Sequence, residues 1–221
     1  MNILTIDTAL QGCVVGLYNT ENKDLEQRVL KTSRAQAEHL VPMIQEIITD
    51  YNEISLIATT LGPGAFVGIR IGMMSAKMFA MILDIPLIGV STLHAMYEMS
   101  DQKEKCIAVL ETKRQDYYVE FFSHPRIEEA SCMNAEEIVD QTNNESWHII
   151  GNANERLKKE TNSPENLIFQ DVELIDPKVL AIKALEQYET KNFQGNLEPL
   201  YLRAPEIGKP KISPRKIAQE K

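Results

Sequence analysis

Apolar and polar positions alternate between two periods along this chain. Asn2–Thr8 and Cys13–Tyr18 are short apolar runs with strand character, the first reaching Asp7, and Leu25–Leu30 alternates like a weaker third strand. Gln36–Tyr51 then changes to a helical period. A strand is predicted at Leu56–Leu61, a Gly-Pro-Gly turn follows, and a long helix covers Phe66–Leu83. Pro86–Val90 reads as the next strand, and Ser91 as the N-cap of a helix running to about Met99. Beyond the hydrophilic stretch Ser100–Lys105 the order begins again. Strands are predicted at Lys105–Glu111, Tyr117–Ser123 and about Ile127–Met133, a short helix at Ala135–Asp140, and a strand at Trp147–Ile150. The signal then weakens, with helices expected near Asn154–Thr161 and Pro177–Thr190.

Strands alternating with helices place the chain in the α/β class. Two successive βββαβα units suggest a duplication, the arrangement of the actin-like ATPase fold, in which two lobes face a cleft. The expected division is 1–102 for the first lobe, 103–198 for a smaller second lobe, and 199–221 for a return segment and basic tail. Pro205, Pro210 and Pro214 deny that tail a core of its own. Lys209, Lys211, Arg215 and Lys216 make it locally positive, either as a solvated arm or as a contact for nucleic-acid phosphate within a complex.

Thr59–Leu83 carries the most information. Glycines in Gly62-Pro63-Gly64 permit close backbone approach at a helix N-terminus. The pattern matches neither G-x-x-x-x-G-K-[ST] nor G-x-G-x-x-G, which favours a structural turn over a phosphate loop. The helix that follows is apolar nearly all round. Gly68, Ile71, Gly72, Ser75, Phe79, Ile82 and Leu83 are assigned to a sheet-facing side. Phe66, Arg70, Met73, Met74, Lys77 and Met81 are assigned to a side too apolar for water. The preceding helix has a similarly wide apolar arc, and Leu40, Ile44, Ile47 and Ile48 join the expected partner-binding set. Burial by the rest of the same chain is the competing reading of both helices.

Charge and chemistry narrow the function. The 221 residues carry a net charge of −9, so the isolated chain is expected to bind RNA poorly, any RNA role being shared with another subunit. Cys13, Cys106 and Cys132 are far apart and read as reduced, buried thiols. No two of the four histidines stand three or four residues apart. His124 and His148 have no evident nucleophile partner, so neither a metal nor a catalytic triad is assigned. Asp7, at the end of the first strand, is a weak candidate for cofactor binding. No apolar run approaches the ~20 residues of a membrane span, and the N-terminus lacks the basic region of a signal peptide, which points to the cytoplasm.

The stretches ILTIDTALQGCVVGLY, EHLVPMIQEII, LGPGAFVGIRIGMMSAKMFA, IPLIGVSTLHAM, AVLETKRQDYYVEFF and LYLRAPEI together resemble the bacterial TsaB (YeaZ) family. Membership would imply the actin-like fold and a heterodimer with a TsaD-like transferase subunit through the two apolar helices. It would also imply association with a TsaE-like ATPase, and self-association when alone. The family's role is non-catalytic support of threonylcarbamoyl transfer from its adenylate to the adenosine beside the tRNA anticodon. ATP and metal are then expected on partner subunits, with tRNA touched only indirectly. The metal-binding histidine pair of the catalytic relative would fall on Thr92 and Met96, with His94 between them. A nucleotide-binding enzyme of the same fold, or a generic homodimeric scaffold, are the alternatives.

Overall fold

The structure, a computed structural model, describes residues 1–32, 34–123, 126–127, 129–162, 164–191 and 197–203. The lysines and arginine singled out in the tail, and His124, lie outside the described residues.

The first sheet comprises β1 (Asn2–Asp7), β2 (Gly12–Asn19), β3 (Leu25–Lys31), β4 (Ile54–Gly62) and β5 (Leu87–Ser91), ordered β3-β2-β1-β4-β5. The first three form an antiparallel meander, while β1, β4 and β5 run parallel. Between them lie α1 (Gln36–Ile47) and α2 (Phe66–Leu83); α3 (Thr92–Glu98) follows β5, with the Ser91 hydroxyl accepting from the His94 amide. The predicted single helix 36–51 is shorter, ending at Ile47 before a 3-10 turn at Tyr51–Glu53.

The second sheet repeats the plan. It contains β6 (Lys105–Glu111), β7 (Tyr117–Ser123), β8 (Arg126–Ile127), β9 (Ser131–Met133), β10 (Trp147–Gly151) and β11 (Leu167–Asp171). Their order is β11-β10-β6-β7-β8, with β9 also pairing β7. As in the first sheet, an antiparallel β6–β7 hairpin adjoins parallel β6, β10 and β11. The duplication expected from element order is thus present in the strand pairing. The strand predicted at 127–133 is split into β8 and β9. β11 was not predicted, because its run Leu167–Phe169 is only three apolar residues long before Gln170 and Asp171.

Five layers result. α1 and α2 cover the outer face of the first sheet. α4 (Ala135–Gln141) and α5 (Asn154–Thr161) cover that of the second, where Trp147 meets Phe121 edge to face. Between the sheets lie α3 and α6 (Pro177–Glu189), inside one shared core containing Leu56, Ile88, Met96, Ala108, Phe122, Ile150 and Leu180. α6 falls within the 103–198 segment yet packs on β1, β2, β4 and β5 of the first sheet, whereas α3, from the first segment, lies chiefly against β6 of the second. This two-lobed architecture is the actin-like ATPase fold.

Candidate functional site

The site centres on α2. Gly68, Gly72, Ala76 and Ala80, spaced four apart, are all buried and form the ridge that meets the sheet. A Cβ on Gly68 would lie 2.0 Å from the Thr8 carbonyl oxygen, and one on Gly72 2.4 Å from Thr8 Oγ1. The absent side chains therefore let the helix rest on the β1–β2 turn. The Ala65 amide donates to the Ala9 carbonyl at 2.7 Å, so backbone from this turn occupies the space over the helix N-terminus.

Asp7 lies beneath the same turn, 2% exposed. Its Oδ1 accepts from Thr60 Oγ1 at 2.7 Å and from the Ala9 amide at 3.0 Å, while Oδ2 has no partner at good geometry. Burial raises its pKa; the Thr60 and Ala9 bonds, and the nearby Ile175 amide, oppose the rise. The carboxylate is enclosed by its own chain, with one oxygen bonded and the other buried without a partner.

The outward face of α2 is a stripe of large apolar side chains. Val67, Met74, Met78, Met81 and Ile82 share one face: Val67 stands seven residues before Met74, Met78 four after it, and Met81 and Ile82 three and four after Met78; Met81 and Ile82 are 79% and 67% exposed. Of the side chains assigned to this face from sequence, Met74 and Met81 are on it, and Phe66 sits at its N-terminal edge, 49% exposed. Met73 is not: at 2% exposure it packs with Ala9 and Ile69, which corrects its placement toward a partner. Ile82 is corrected in the opposite direction, from the sheet side to the surface. Val67 and Met78 belong to the face and were missed; the four-residue repeat of small residues is the signal that fixes the helix phase.

A second correction concerns α1. Leu40, Ile44, Ile47 and Ile48 are all buried in the core beneath the first sheet with Leu4, Val15 and Phe79, so this chain covers them itself. α1 turns Glu38, Gln45 and Glu46 outward, and Glu46 pairs with Arg28 at 3.0 Å.

Arg70 and Lys77, expected to orient a partner, are held by residues 197–203 of the same chain. Lys77 Nζ donates to the Leu197 carbonyl at 2.5 Å, and Arg70 Nε to the Tyr201 hydroxyl at 2.9 Å. The Arg70 guanidinium also lies 3.8 Å from the Phe66 ring centre, and the Leu200 amide donates to the Leu61 carbonyl at 2.8 Å. The C-terminal segment is therefore a strap along one side of α2, and Tyr201, a member of the site that sequence reasoning missed, borders its apolar face.

Thr92 and Met96 are fully buried, and His94 Nε2 is 2.7 Å from Glu120 Oε1. Among the described residues there is no group of three or more His, Cys, Asp or Glu side chains placed to share a metal. Cys13 and Cys106 are buried and Cys132 half-buried; burial pushes the Cys13 thiol up to about 12. α2 is long and apolar enough to cross a membrane by length and composition, but its small-residue ridge is packed on β1 and β4.

A profile of the family described as TsaD, tRNA N6-adenosine threonylcarbamoyltransferase, matches residues 30–194. The chain is 37% identical to the tRNA threonylcarbamoyladenosine biosynthesis protein TsaB of Escherichia coli over 116 residues, 50% of this chain and 48% of that one. With the protein of the same name from a Buchnera of Acyrthosiphon pisum it shares 32% identity, over 54% of this chain and 57% of that one. These two alignments span only about half of each relative. With TsaB of Haemophilus influenzae the identity is 26%, over 92% of this chain and 94% of that one. In fold it is similar to YeaZ from Pseudomonas aeruginosa, with a TM-score of 0.75 at 18% identity, over 91% of this chain and all of that one. The profile covers both lobes, and so the chain belongs to the tRNA N6-adenosine threonylcarbamoyltransferase (TsaD) family, on its TsaB (YeaZ) branch.

Proposed function

We propose that this chain is a non-catalytic subunit in tRNA threonylcarbamoyladenosine biosynthesis, binding a TsaD-like transferase through the outward face of α2. The observation that carries the reading is the row Val67, Met74, Met78, Met81 and Ile82, a large apolar surface on a rigid helix. Methionines at such a surface adapt to the shape of a partner. A related subunit of the same fold would present an equivalent helix, and two such stripes can pack by interleaving side chains. In the absence of that partner, the same stripe on a second copy would serve. The enclosed Asp7 and the filled space over the α2 N-terminus fit a supporting role, with ATP handled by a TsaE-like ATPase. Such work would be cytoplasmic, where tRNA is modified.

The test is reconstitution: this chain, a TsaD-like subunit and a TsaE-like ATPase from the same cell, with tRNA modification as the readout. The double variant Met74→Glu/Met78→Glu should abolish co-elution with the TsaD-like subunit and modification together, while the isolated chain melts as before. Undiminished modification with that variant would overturn the reading. A self-dimer indifferent to the TsaD-like subunit would favour a scaffold unrelated to tRNA.

A further inference from the structure

We infer that Met74, Met78 and Met81 form an oxidation site on α2, where a peroxide converts them to sulfoxides and thereby switches off docking of a partner on that face. The chain has nine methionines, and all of them lie among the described residues. Met74, Met78 and Met81 are 62%, 40% and 79% exposed, and every other methionine is buried or half-buried. Met43, Met73 and Met96 belong to packed cores, and half-buried Met99 turns its sulfur to the Asp176 amide at 3.5 Å. The accessible thioethers of this chain are therefore gathered on one face of one helix.

A thioether reacts without ionising, so access decides which methionines a hydroperoxide reaches. The sulfur lone pair attacks one peroxide oxygen, and the S–O bond forms as the O–O bond breaks. The proton of the transferred oxygen passes to the departing hydroxide, which leaves as water; sulfur is oxidised by two electrons and the peroxide reduced. The product carries a polar S–O group in place of an apolar thioether. On the free chain water solvates that oxygen. Beneath a partner's apolar side chains it would be buried without a donor, at the full penalty of an unpaired polar group. Val67 and Ile82, the other members of the stripe, offer no side-chain donor, and Lys77, the cation beside Met78, is held by the Leu197 carbonyl. Met73 supplies the contrast within one turn, since Ala9 and Ile69 enclose it. The modification site stands on exposure alone; its effect on assembly rests on the docking reading above. A partner seated on the stripe would shield the same sulfurs, so oxidation acts on the free subunit.

The full chain, alone and mixed with a TsaD-like subunit, is treated with a limiting dose of hydrogen peroxide, quenched with catalase and mapped by peptide mass spectrometry. In the free chain Met74, Met78 and Met81 should gain oxygen before Met43, Met73 and Met96, and in the mixture they should be protected. Chain oxidised alone at the three positions should keep its circular-dichroism melt and bind fresh TsaD-like subunit roughly tenfold or more weakly. Methionine sulfoxide reductases for both sulfoxide epimers, with a dithiol that is oxidised to the disulfide as the oxygen leaves as water, should restore binding. The variant Met74→Leu/Met78→Leu/Met81→Leu keeps the apolar surface, and should bind before and after peroxide alike. Buried methionines that react as fast as these three, undiminished binding after their oxidation, or an equal loss of binding by the peroxide-treated leucine variant would overturn the switch and leave the docking reading intact. An untreated chain that fails to bind would instead overturn the docking reading, and the switch with it.

Discussion

The hydroxyl of Thr8 donates a 2.6 Å hydrogen bond to the carbonyl of Gly68, joining the end of the first strand to the first turn of α2. The contact exists only because Gly68 has no side chain. Gly68→Ala would place a carbon 2.0 Å from backbone that cannot rotate away. Helix propensity alone would favour alanine by about 1 kcal/mol. The clash should reverse the sign, giving a net loss of about 1–3 kcal/mol in urea unfolding. Unchanged or raised stability would show that the helix can lift off the turn at little cost.

Adjacent methionines should behave oppositely. Met73→Glu buries a carboxylate beside Ala9 and Ile69 and should destabilise the isolated chain by about 3 kcal/mol or more. Met74→Glu, on a side chain 62% exposed, should change the melting free energy by less than about 0.5 kcal/mol. Circular-dichroism melts of the two variants compare them directly.

The strap should open locally before the rest of the chain unfolds. Lys77→Met removes the donor to the Leu197 carbonyl but keeps the aliphatic packing. Hydrogen exchange at the Leu200 amide, bonded to Leu61, is expected to accelerate, with a global stability change of only about 1 kcal/mol.

Acid sensitivity should depend in part on the contact between α3 and α6. Burial raises the pKa of Glu98, but Lys183 and then Lys103 outweigh it, so the folded value lies below the ordinary 4.5. Its contribution is therefore present above pH 4.5 and lost as pH falls below it. Lys183→Met should cost about 1 kcal/mol at pH 7, and the deficit should shrink below pH 4.5. Asp7 has the opposite sign. Its folded pKa is raised from 3.8, so its ionisation weakens the fold as pH rises from 3.8 through the folded value. Urea midpoints of the parent and the variant on both sides of pH 4.5 measure the difference.

The sequence reveals the sheets better than it reveals the surface. β1, β2, β4, β6 and β7 are apolar runs of ordinary length, and the order in which they recur is enough to suggest two matching lobes. The phase of α2 is harder to read, because a helix apolar on nearly every side gives hydrophobicity little direction. Reading its methionines as one face rotates the helix by less than one residue step, enough to exchange Met73 with Ile82. The competition for the apolar arc of α1 is also invisible locally, since only the tertiary arrangement shows Leu40 and Ile44 already covered by β2 and α2. Tyr201 lies 131 residues from Arg70, a separation that no periodicity bridges.

A gene cut after residue 102 would yield two fragments, each missing a wall. The N-terminal piece would lack α6, leaving β1 and β2 without their inner cover, and the C-terminal piece would lack α3 against β6. Neither fragment should be a stable folding unit when expressed alone, though mixing them could restore both. The intact chain should therefore melt in a single transition, its halves unable to loosen independently.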